Sequence, residues 1–485
     1  MGDNLKEKTI SALKWSTVDR FGQQAVQFVV GIILANTILP EDFGLFGMLA
    51  IFNALSFVLV ESGFGQALVR KKSSDPREFS SIFYFDIVTG IFLYILLYFS
   101  APSIAGFFQQ PELVSLSRFT FIVIIFNAFY LIQINILGIK LDYKNIAKVN
   151  FISTIVSGSV GVTLAVTGFG VWALAVQLVC YHLIRMISFF YFVRWKPLLF
   201  FSFDYIREHW KFSISLLGTG VLNVIFNNIF ILVLGKYFPL KEVGYYNQAN
   251  KQSETVNYAF VSVLTGTTYN VFSQIHEQTE RLKHLLREFS HKTAVLVIPA
   301  GFFLIASAEN LLVSLIGEVW LPAVPFFRLI CAANLVSALY QLNINTLNAR
   351  GKSRITFRTE IFKKTLILLS IVGLFSLGSK MMIGGYVIAC WVAYLITMIE
   401  VKREINHYWT HQLKDILPAV GIGLLIGIAV WAISLVPIKD VVLLIMELGA
   451  AGILYLVCIR LFYKEMYTNI LAYISKSFNT ISKKN

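Results

Sequence analysis

Charged residues are scarce in this sequence of 485 residues. Asp, Glu, Lys and Arg make up 14% of it, whereas about a quarter is usual in soluble domains. Apolar residues make up 56%, and the mean hydropathy is +0.69, which excludes an ordinary soluble enzyme. Acidic residues are the scarcer sign, with 27 against 41 basic residues and a formal net charge of +14. In a soluble protein this excess would point to nucleic acid, so its meaning depends on where the basic residues lie.

Cysteine and the motifs of catalysis are also scarce. The four cysteines lie far apart in apolar runs and form no Cys-x-x-Cys pair, which excludes a disulfide framework and a cysteine metal site. No paired-acid motif, nucleophile elbow or metal cluster is visible, so we expect no enzymatic activity, no catalytic residue and no bound metal. The first 14 residues are polar and lack a signal peptide pattern, so the N-terminus is expected to be retained.

Long apolar runs dominate the rest of the chain. Crossing the hydrocarbon core of a bilayer takes about 20 mostly apolar residues, and the loops between the runs leave no room for a soluble domain. The sequence therefore predicts an all-α polytopic membrane protein with fourteen transmembrane helices. The predicted spans are 14–37, 43–62, 79–100, 113–137, 147–167, 169–193, 211–235, 243–275, 291–308, 322–348, 357–377, 382–400, 416–435 and 441–462.

The basic residues indicate the orientation of these spans, because cytoplasmic loops are enriched in Lys and Arg. With a cytoplasmic N-terminus, most of the 41 basic residues fall on cytoplasmic segments. The loops on the opposite side hold Lys236, Lys241, Lys380 and Lys439. An even number of spans then places both termini in the cytoplasm. The net charge thus reflects topology, and no nucleic acid partner is expected.

Two segments of the chain repeat. Residues 34–46 (LANTILPEDFGLF) match residues 234–246 (LGKYFPLKEVGYY), so that Gly44 corresponds to Gly244, and the REFS of residues 77–80 recurs at 287–290. Six predicted spans separate the copies, and an even number gives both copies the same orientation, related by an axis along the membrane normal. We expect two pseudo-symmetric six-helix bundles, residues 1–200 and 201–405, followed by two trailing helices and a cytoplasmic tail in 406–485.

Amide side chains inside two of the spans are candidates for function, because polar groups are costly in hydrocarbon. Gln23 and Gln27 lie one turn apart in span 1, and Asn223 and Asn227 occupy the corresponding positions in span 7. Two roles are open for them. They can form hydrogen bonds between neighbouring helices, or they can line a cavity.

Charged side chains inside the spans form a second group. Arg20, Asp86 and Arg185 lie seven or eight residues inside the cytoplasmic ends of their spans, roughly 10 to 12 Å deep, and could share one layer. Asp86 is then the expected partner of Arg20 or Arg185, because an unpaired charge at this depth is costly, and Asp19 is the alternative. The charges near the outer ends either snorkel to the interface or line a path for an anion. They are Arg118, Lys251, Glu254 and Arg328.

Four sequence runs carry a family resemblance. They are residues 40–44 (PEDFG), 61–70 (ESGFGQALVR), 170–174 (GVWAL) and 317–323 (GEVWLPA). With these runs and fourteen spans, nearly the whole chain resembles the polysaccharide-exporter branch of the multidrug, oligosaccharidyl-lipid and polysaccharide flippase superfamily. The resemblance implies a flippase of the bacterial inner membrane. Such a protein moves undecaprenyl-diphosphate-linked oligosaccharide to the outer leaflet by alternating access, for lipopolysaccharide or other surface polysaccharide.

The chemistry of a lipid-linked diphosphate sugar suggests roles for the polar and charged residues in and beside the spans. Asp86 and Glu254 would couple transport to H⁺ or Na⁺, with no other cofactor. The diphosphate would bind Arg20, Arg70, Arg118, Arg185, Lys251 and Arg328, and the sugar would bind Gln23, Gln27, Asn223 and Asn227. The expected partners are the lipid-linked oligosaccharide, membrane lipid, and polymerases or glycosyltransferases, and the chain is expected to be a monomer.

Two alternative functions stay open at this point. A drug or metabolite antiporter of the same superfamily would favour acidic cavity residues for cationic substrates. A membrane glycosyltransferase or polysaccharide polymerase would carry a large external loop or an acidic catalytic motif, and neither is visible in the sequence.

Overall fold

The computed structural model describes residues 2–71, 75–436 and 440–463. Within these ranges the regular structure is α-helix, apart from two 3₁₀ turns at Glu318–Ala323 and Phe375–Leu377, and there is no β-strand. The chain divides into two compact units, Met1–Gln248 and Ala249–Asn485. An all-α architecture is thereby confirmed for the described residues.

The first unit is built from eleven described helices, the last of which continues into the second unit. Its core joins α3, α4, α6 and α9 through Phe64, Phe83, Ile132 and Ile206, while α7 packs against α1 and α8. The helices are α1 (Gly2–Thr37), α2 (Pro40–Glu61), α3 (Phe64–Lys71), α4 (Pro76–Phe108), α5 (Leu113–Thr120), α6 (Val123–Ile139), α7 (Tyr143–Val166), α8 (Val171–Val193), α9 (Phe203–Asn227), α10 (Ile229–Tyr237) and α11 (Leu240–Gln274).

This unit extends past residue 200, where the sequence places the end of the first bundle. The reason is that α9 packs against α2, α3 and α4. The division into two six-helix bundles and trailing helices stays a prediction.

The second unit contains the remaining helices. Its core is formed by residues such as Phe272, Leu286, Leu339 and Met398, and the main packing partners are α12 with α18 and α16 with α17. The helices are α12 (Thr279–Ala306), α13 (Ala308–Ile316), α14 (Val324–Asn334), α15 (Ser337–Ala349), α16 (Ser353–Leu374), α17 (Ser379–Ile405), α18 (Trp409–Ser434) and α19 (Asp440–Phe462).

Many of these helices are long and apolar enough to cross a membrane. Among the described residues there are 10 such segments, or 11 if α9 and α10, which meet at a 45° bend, form one span. The three other predicted spans fall on α1, α11 and α16, which are helices of 36, 35 and 22 residues but contain more polar side chains. The structure therefore supports a multi-pass membrane protein, while the count of fourteen spans stays a prediction.

Candidate functional site

Arg185 lies in α8 beside Tyr130 of α6, and it has an unusual set of neighbours. Its Nη1 donates a hydrogen bond to Tyr130 Oη at 3.4 Å. Its Cζ lies 4.9 Å from the ring centre of Tyr130, 5.7 Å from that of Tyr181 and 5.6 Å from that of Phe189. These contacts hold the cation against the negative faces of aromatic rings.

The charge of Arg185 is not neutralised by this environment. Within the described ranges no carboxylate oxygen lies within 4.0 Å of its guanidinium, and its buried Nε has no hydrogen-bond partner. A guanidinium carries five N–H donors, and the Tyr130 bond uses one of them. The described contacts therefore leave this positive charge without an anionic hydrogen-bond partner.

Two buried residues that the sequence analysis missed complete this group. His182 Nδ1 lies 2.8 Å from Tyr130 Oη, and His182 and Tyr130 are 6% and 1% exposed. The two rings stack, with centroids 6.1 Å apart and an interplanar angle of 17°. The only signal in the sequence is the i, i+3 spacing of His182 and Arg185 within a span, where ionisable residues are rare.

Asp19 of α1 binds amides and forms no ion pair with any arginine whose side chain the structure describes. Its Oδ1 accepts a hydrogen bond from Gln23 Nε2 at 2.8 Å, and its two oxygens accept from Asn150 Nδ2 of α7 at 3.2 and 3.1 Å. Arg20 is exposed and has no carboxylate within 4.0 Å in the described ranges. Asp19 attracts Arg185 electrostatically from beyond that distance. Gln23 therefore takes part in helix-to-helix bonding through Asp19.

Asp86 of α4 is not the partner of an arginine either. It is 3% exposed, its Oδ1 has no hydrogen-bond partner, and the charged neighbour that acts on it is Glu61. The predicted ion pair with Arg20 or Arg185 is therefore wrong. Equal depth along separate helices does not determine the direction in which each side chain points.

The two outer arginines, Arg118 and Arg328, correspond at the offset of the REFS repeat, and each caps a backbone carbonyl. Arg118 Nε donates to Tyr98 O at 3.3 Å, a carbonyl without its helical donor because Pro102 has no N–H. Arg328 Nε donates to Ile305 O at 3.2 Å, in the last turn of α12, where carbonyls lack helical partners. Carbonyls in hydrocarbon need such partners, so Arg118 stabilises the proline break inside α4 and Arg328 stabilises the C-terminal end of α12.

The other predicted site residues are not brought together with Arg185 by any described contact. Glu254 accepts a hydrogen bond from Asn250 Nδ2 at 2.9 Å, and Arg70 lies in α3 with its side chain outside the described residues. The remaining ones are exposed, namely Lys251, Gln27, Asn223 and Asn227.

The first unit also contains a close crossing of α2 and α11, here called the glycine crossing and formed by Pro40, Gly44, Leu240 and Gly244. A Cβ on Gly244 would overlap Pro40 O, and a Cβ on Gly44 would lie 2.6 Å from Leu240 O. An offset of 200 residues relates Pro40 to Leu240 and Gly44 to Gly244, so the two contacts correspond to each other. Both positions require glycine, because a Cβ on either helix would clash with backbone atoms of the other.

Polar contacts flank the glycine crossing. Lys241 Nζ lies 3.1 Å from Glu41 Oε1, and Asn247 Nδ2 donates to Phe43 O at 3.1 Å. Nearby, Lys236 Nζ donates to Phe107 O at 2.6 Å, in the last turn of α4. The ends of these helices are therefore closed by backbone packing and by charge.

One described cluster has donor atoms suited to a metal, namely Glu78, Glu208 and His209, whose donor atoms lie within 4.8 Å of one another. Lys71 Nζ already lies 3.2 Å from Glu78 Oε1 and 2.9 Å from Glu208 Oε1. The hydrogen bond with Glu208 is the largest of the effects that raise the pKa of Lys71. The ammonium group stands where a metal would bind, so this cluster is an ionic tie between α3, α4 and α9.

Comparison with known proteins places this arrangement in a family. The family model described as "Polysaccharide biosynthesis protein" matches residues 33–325, more than half of the chain. The chain belongs to this family.

Two curated relatives extend the similarity over most of the chain. The teichuronic acid biosynthesis protein TuaB of Bacillus subtilis (strain 168) is 21% identical over 438 residues, 87% of this chain and 89% of that protein. The lipopolysaccharide biosynthesis protein WzxC of Escherichia coli (strain K12) is 25% identical over 382 residues, 76% of this chain and 75% of that protein.

Solved structures share the fold. The lipid II flippase MurJ in an inward closed conformation has a TM-score of 0.76 at 16% identity, covering 94% of this chain and 99% of that chain. An inward-facing multidrug resistance MATE family transporter of the MOP superfamily has a TM-score of 0.60 at 14% identity, covering 81% and 98%. The family member described here therefore has the fold of these two transporters.

Proposed function

We propose that this protein is a flippase for undecaprenyl-diphosphate-linked oligosaccharide. It moves this lipid from the cytoplasmic to the outer leaflet of the bacterial inner membrane, for the synthesis of lipopolysaccharide or another surface polysaccharide. The observation that carries the proposal is Arg185, a cation inside a membrane helix that is held by aromatic rings and has no neutralising carboxylate among the described residues. The names of WzxC and MurJ support the same function.

The chemistry of this substrate suits the described groups. A diphosphate needs N–H donors with positive charge, and a guanidinium can bind two of its oxygens at once. Sugar hydroxyls need amides, and Gln27 and Asn227 are exposed side chains of this kind. A cationic drug would instead be repelled by Arg185, which argues against the antiporter.

Alternating access is supported by the glycine crossing. The positive-inside rule assigns the loop with Lys236 and Lys241 to the outer side, so the glycine crossing closes the outer end of α2 and α11. Release to the outer leaflet requires these helices to separate. The proposal places both termini in the cytoplasm and treats the chain as a monomer that receives its substrate from glycosyltransferases and delivers it to a polymerase.

Asp86 is our candidate for coupling transport to H⁺. An ionised carboxylate that lacks a cationic partner in a membrane span costs several kcal/mol. Asp86 is buried, and its Oδ1 has no hydrogen-bond partner in the described ranges. Such a group is suited to binding and releasing a proton as its surroundings change.

Complementation of a strain that lacks the protein tests the function. The strain should accumulate complete lipid-linked units on the inner leaflet, and Arg185→Ala, expressed at the normal level, should restore less than about one tenth of the surface polysaccharide, because charged contacts of this kind contribute 2 to 5 kcal/mol. Lys196→Ala, which removes an exposed cation beyond the end of α8, is the matched control and should restore it fully.

Three results would contradict the proposal. Full restoration of the surface polysaccharide by Arg185→Ala would show that Arg185 does not bind the diphosphate. Accumulation of incomplete units in the null strain would indicate a glycosyltransferase, and accumulation of complete units on the outer leaflet would indicate a polymerase.

A further inference from the structure

We propose that Tyr130 and His182 are positioning residues that hold the Arg185 guanidinium ready for a diphosphate. This inference rests on the proposed function and concerns the same site. The sequence shows that Arg185 is a cation in a span. It does not show what fixes the orientation of the guanidinium when no described carboxylate holds it. The three groups in contact supply that explanation.

The hydrogen-bond chemistry of the three groups has one consistent arrangement. Arg185 Nη1 donates to Tyr130 Oη at 3.4 Å, and a guanidinium cannot accept a hydrogen bond. The hydroxyl proton of Tyr130 therefore points to the other neighbour, His182 Nδ1, at 2.8 Å. His182 must then be neutral, with its own proton on Nε2. In the other neutral tautomer, Nδ1–H would donate to Tyr130 Oη and leave the hydroxyl proton without an acceptor among these groups. A doubly protonated His182 would add a second positive charge beside Arg185.

The aromatic groups fix the position of the guanidinium while leaving its charge available. The ring of Tyr130 stacks on that of Phe189, with centroids 5.7 Å apart, and both rings lie against Arg185 Cζ. Tyr181 lies against Arg185 and packs edge-on against His182 at 5.2 Å. Ring faces attract a cation but carry no net charge, so a phosphate oxygen does not have to displace a protein anion.

Arg287 in the second unit shows the opposite arrangement. Its Nε lies 2.9 Å from both oxygens of Asp415 and its Nη2 lies 2.8 Å from Asp415 Oδ1. A carboxylate held in this way positions an arginine equally well but neutralises it. The use of a hydroxyl and rings around Arg185 is therefore what a binding site for an anion requires. Preorganisation of this kind reduces the entropy lost on binding.

Binding of undecaprenyl diphosphate to the purified full-length protein in nanodiscs tests the proposal. Tyr130→Phe keeps the ring and removes the hydroxyl, and His182→Leu fills the same space without an acceptor. Each should raise the Kd by about fivefold, the effect of losing one ordinary hydrogen bond. His182→Asn, whose side-chain oxygen can replace Nδ1 as the acceptor, should bind like the wild type.

A double-mutant cycle separates positioning from general structural damage. The pair Tyr130→Phe and His182→Leu should be no weaker than either single variant, since both break one chain of contacts. In an Arg185→Ala background, Tyr130→Phe should change the Kd no further. Thermal unfolding of each variant in nanodiscs shows that the protein is folded.

The outcomes distinguish this inference from the proposed function. If Tyr130→Phe and His182→Leu bind like the wild type while Arg185→Ala binds weakly, the positioning role is wrong and the flippase proposal stands. If Tyr130→Phe weakens binding equally with and without Arg185, Tyr130 acts independently and the inference is also wrong. If Arg185→Ala itself binds undecaprenyl diphosphate normally, the diphosphate site fails and both proposals fall.

Discussion

Charged side chains have different kinds of partner in the interior of the first unit and at its glycine crossing. Near the crossing, Lys241 pairs with Glu41 and Lys236 caps the Phe107 carbonyl. In the interior, Arg185 has aromatic neighbours and no carboxylate partner in the described ranges. The difference teaches that the type of residue does not reveal its role in a membrane span. A charge with a protein partner stabilises the helices, whereas we propose that the buried Arg185, which lacks one among the described residues, serves a ligand.

The glycine crossing should give the largest effect. Gly244→Ala places a Cβ on the Pro40 carbonyl oxygen, and backbone atoms in a packed contact cannot move aside. The ends of α2 and α11 then cannot come together, so transport should fall more than about tenfold. Gly218→Ala in α9, where a Cβ meets nothing within 4 Å, is the control and should transport normally. Surface polysaccharide in the complemented null strain is the measurement, and wild-type transport by Gly244→Ala would show that closure at this point is not required.

Asp86 should give the next largest effect. It extends the comparison to a carboxylate in the interior. Asp86→Asn keeps the shape of the side chain and removes its ability to bind a proton, so the response of transport to an imposed pH gradient should fall about tenfold or more, as for loss of a proton-transfer group. Proteoliposomes with and without the gradient provide the measurement, and Glu112→Gln, an exposed carboxyl, is the control. An undiminished response of Asp86→Asn would place the coupling site elsewhere, and transport driven by Na⁺ alone would exclude H⁺.

The Glu41 and Lys241 pair should give the smallest effect. Their side chains are 33% and 62% exposed, and exposed ion pairs contribute about 0 to 1 kcal/mol. Glu41→Lys should therefore lower transport by no more than about fivefold, and adding Lys241→Glu should restore it. The same polysaccharide measurement applies. A double variant that is as poor as the single one would mean that the crossing does not depend on this pair.

The repeat illustrates what could be predicted from residue order. The offsets that relate Gly44 to Gly244 and the two REFS runs are visible in the sequence. In the structure, residues related by these offsets make similar contacts. Gly44 and Gly244 each pack against the backbone of the other helix, and Arg118 and Arg328 each donate a hydrogen bond to a backbone carbonyl. Pro102 explains the orphan carbonyl at Tyr98 only once the position of Arg118 is known.

The candidate site could be predicted only in part. Arg185 stands out because a charge in an apolar run is rare, whereas Tyr130 and His182 look like ordinary core residues until their hydrogen bond is seen. The pairing of Asp86 with an arginine was wrong for a related reason. Residue spacing determines the depth of a side chain along its own helix, but the rotation of that helix against its neighbours follows from packing.

By itself the sequence determined that this is a multi-pass helical membrane protein, because apolar length and scarce charge leave few other structures open to the chain. Its family resemblance and the identity of the intramembrane cations were also readable from residue order. Only the tertiary structure decided which cations have partners. That decision depends on side chains from α1, α4, α6, α7 and α8, whose contacts are set by how the helices pack.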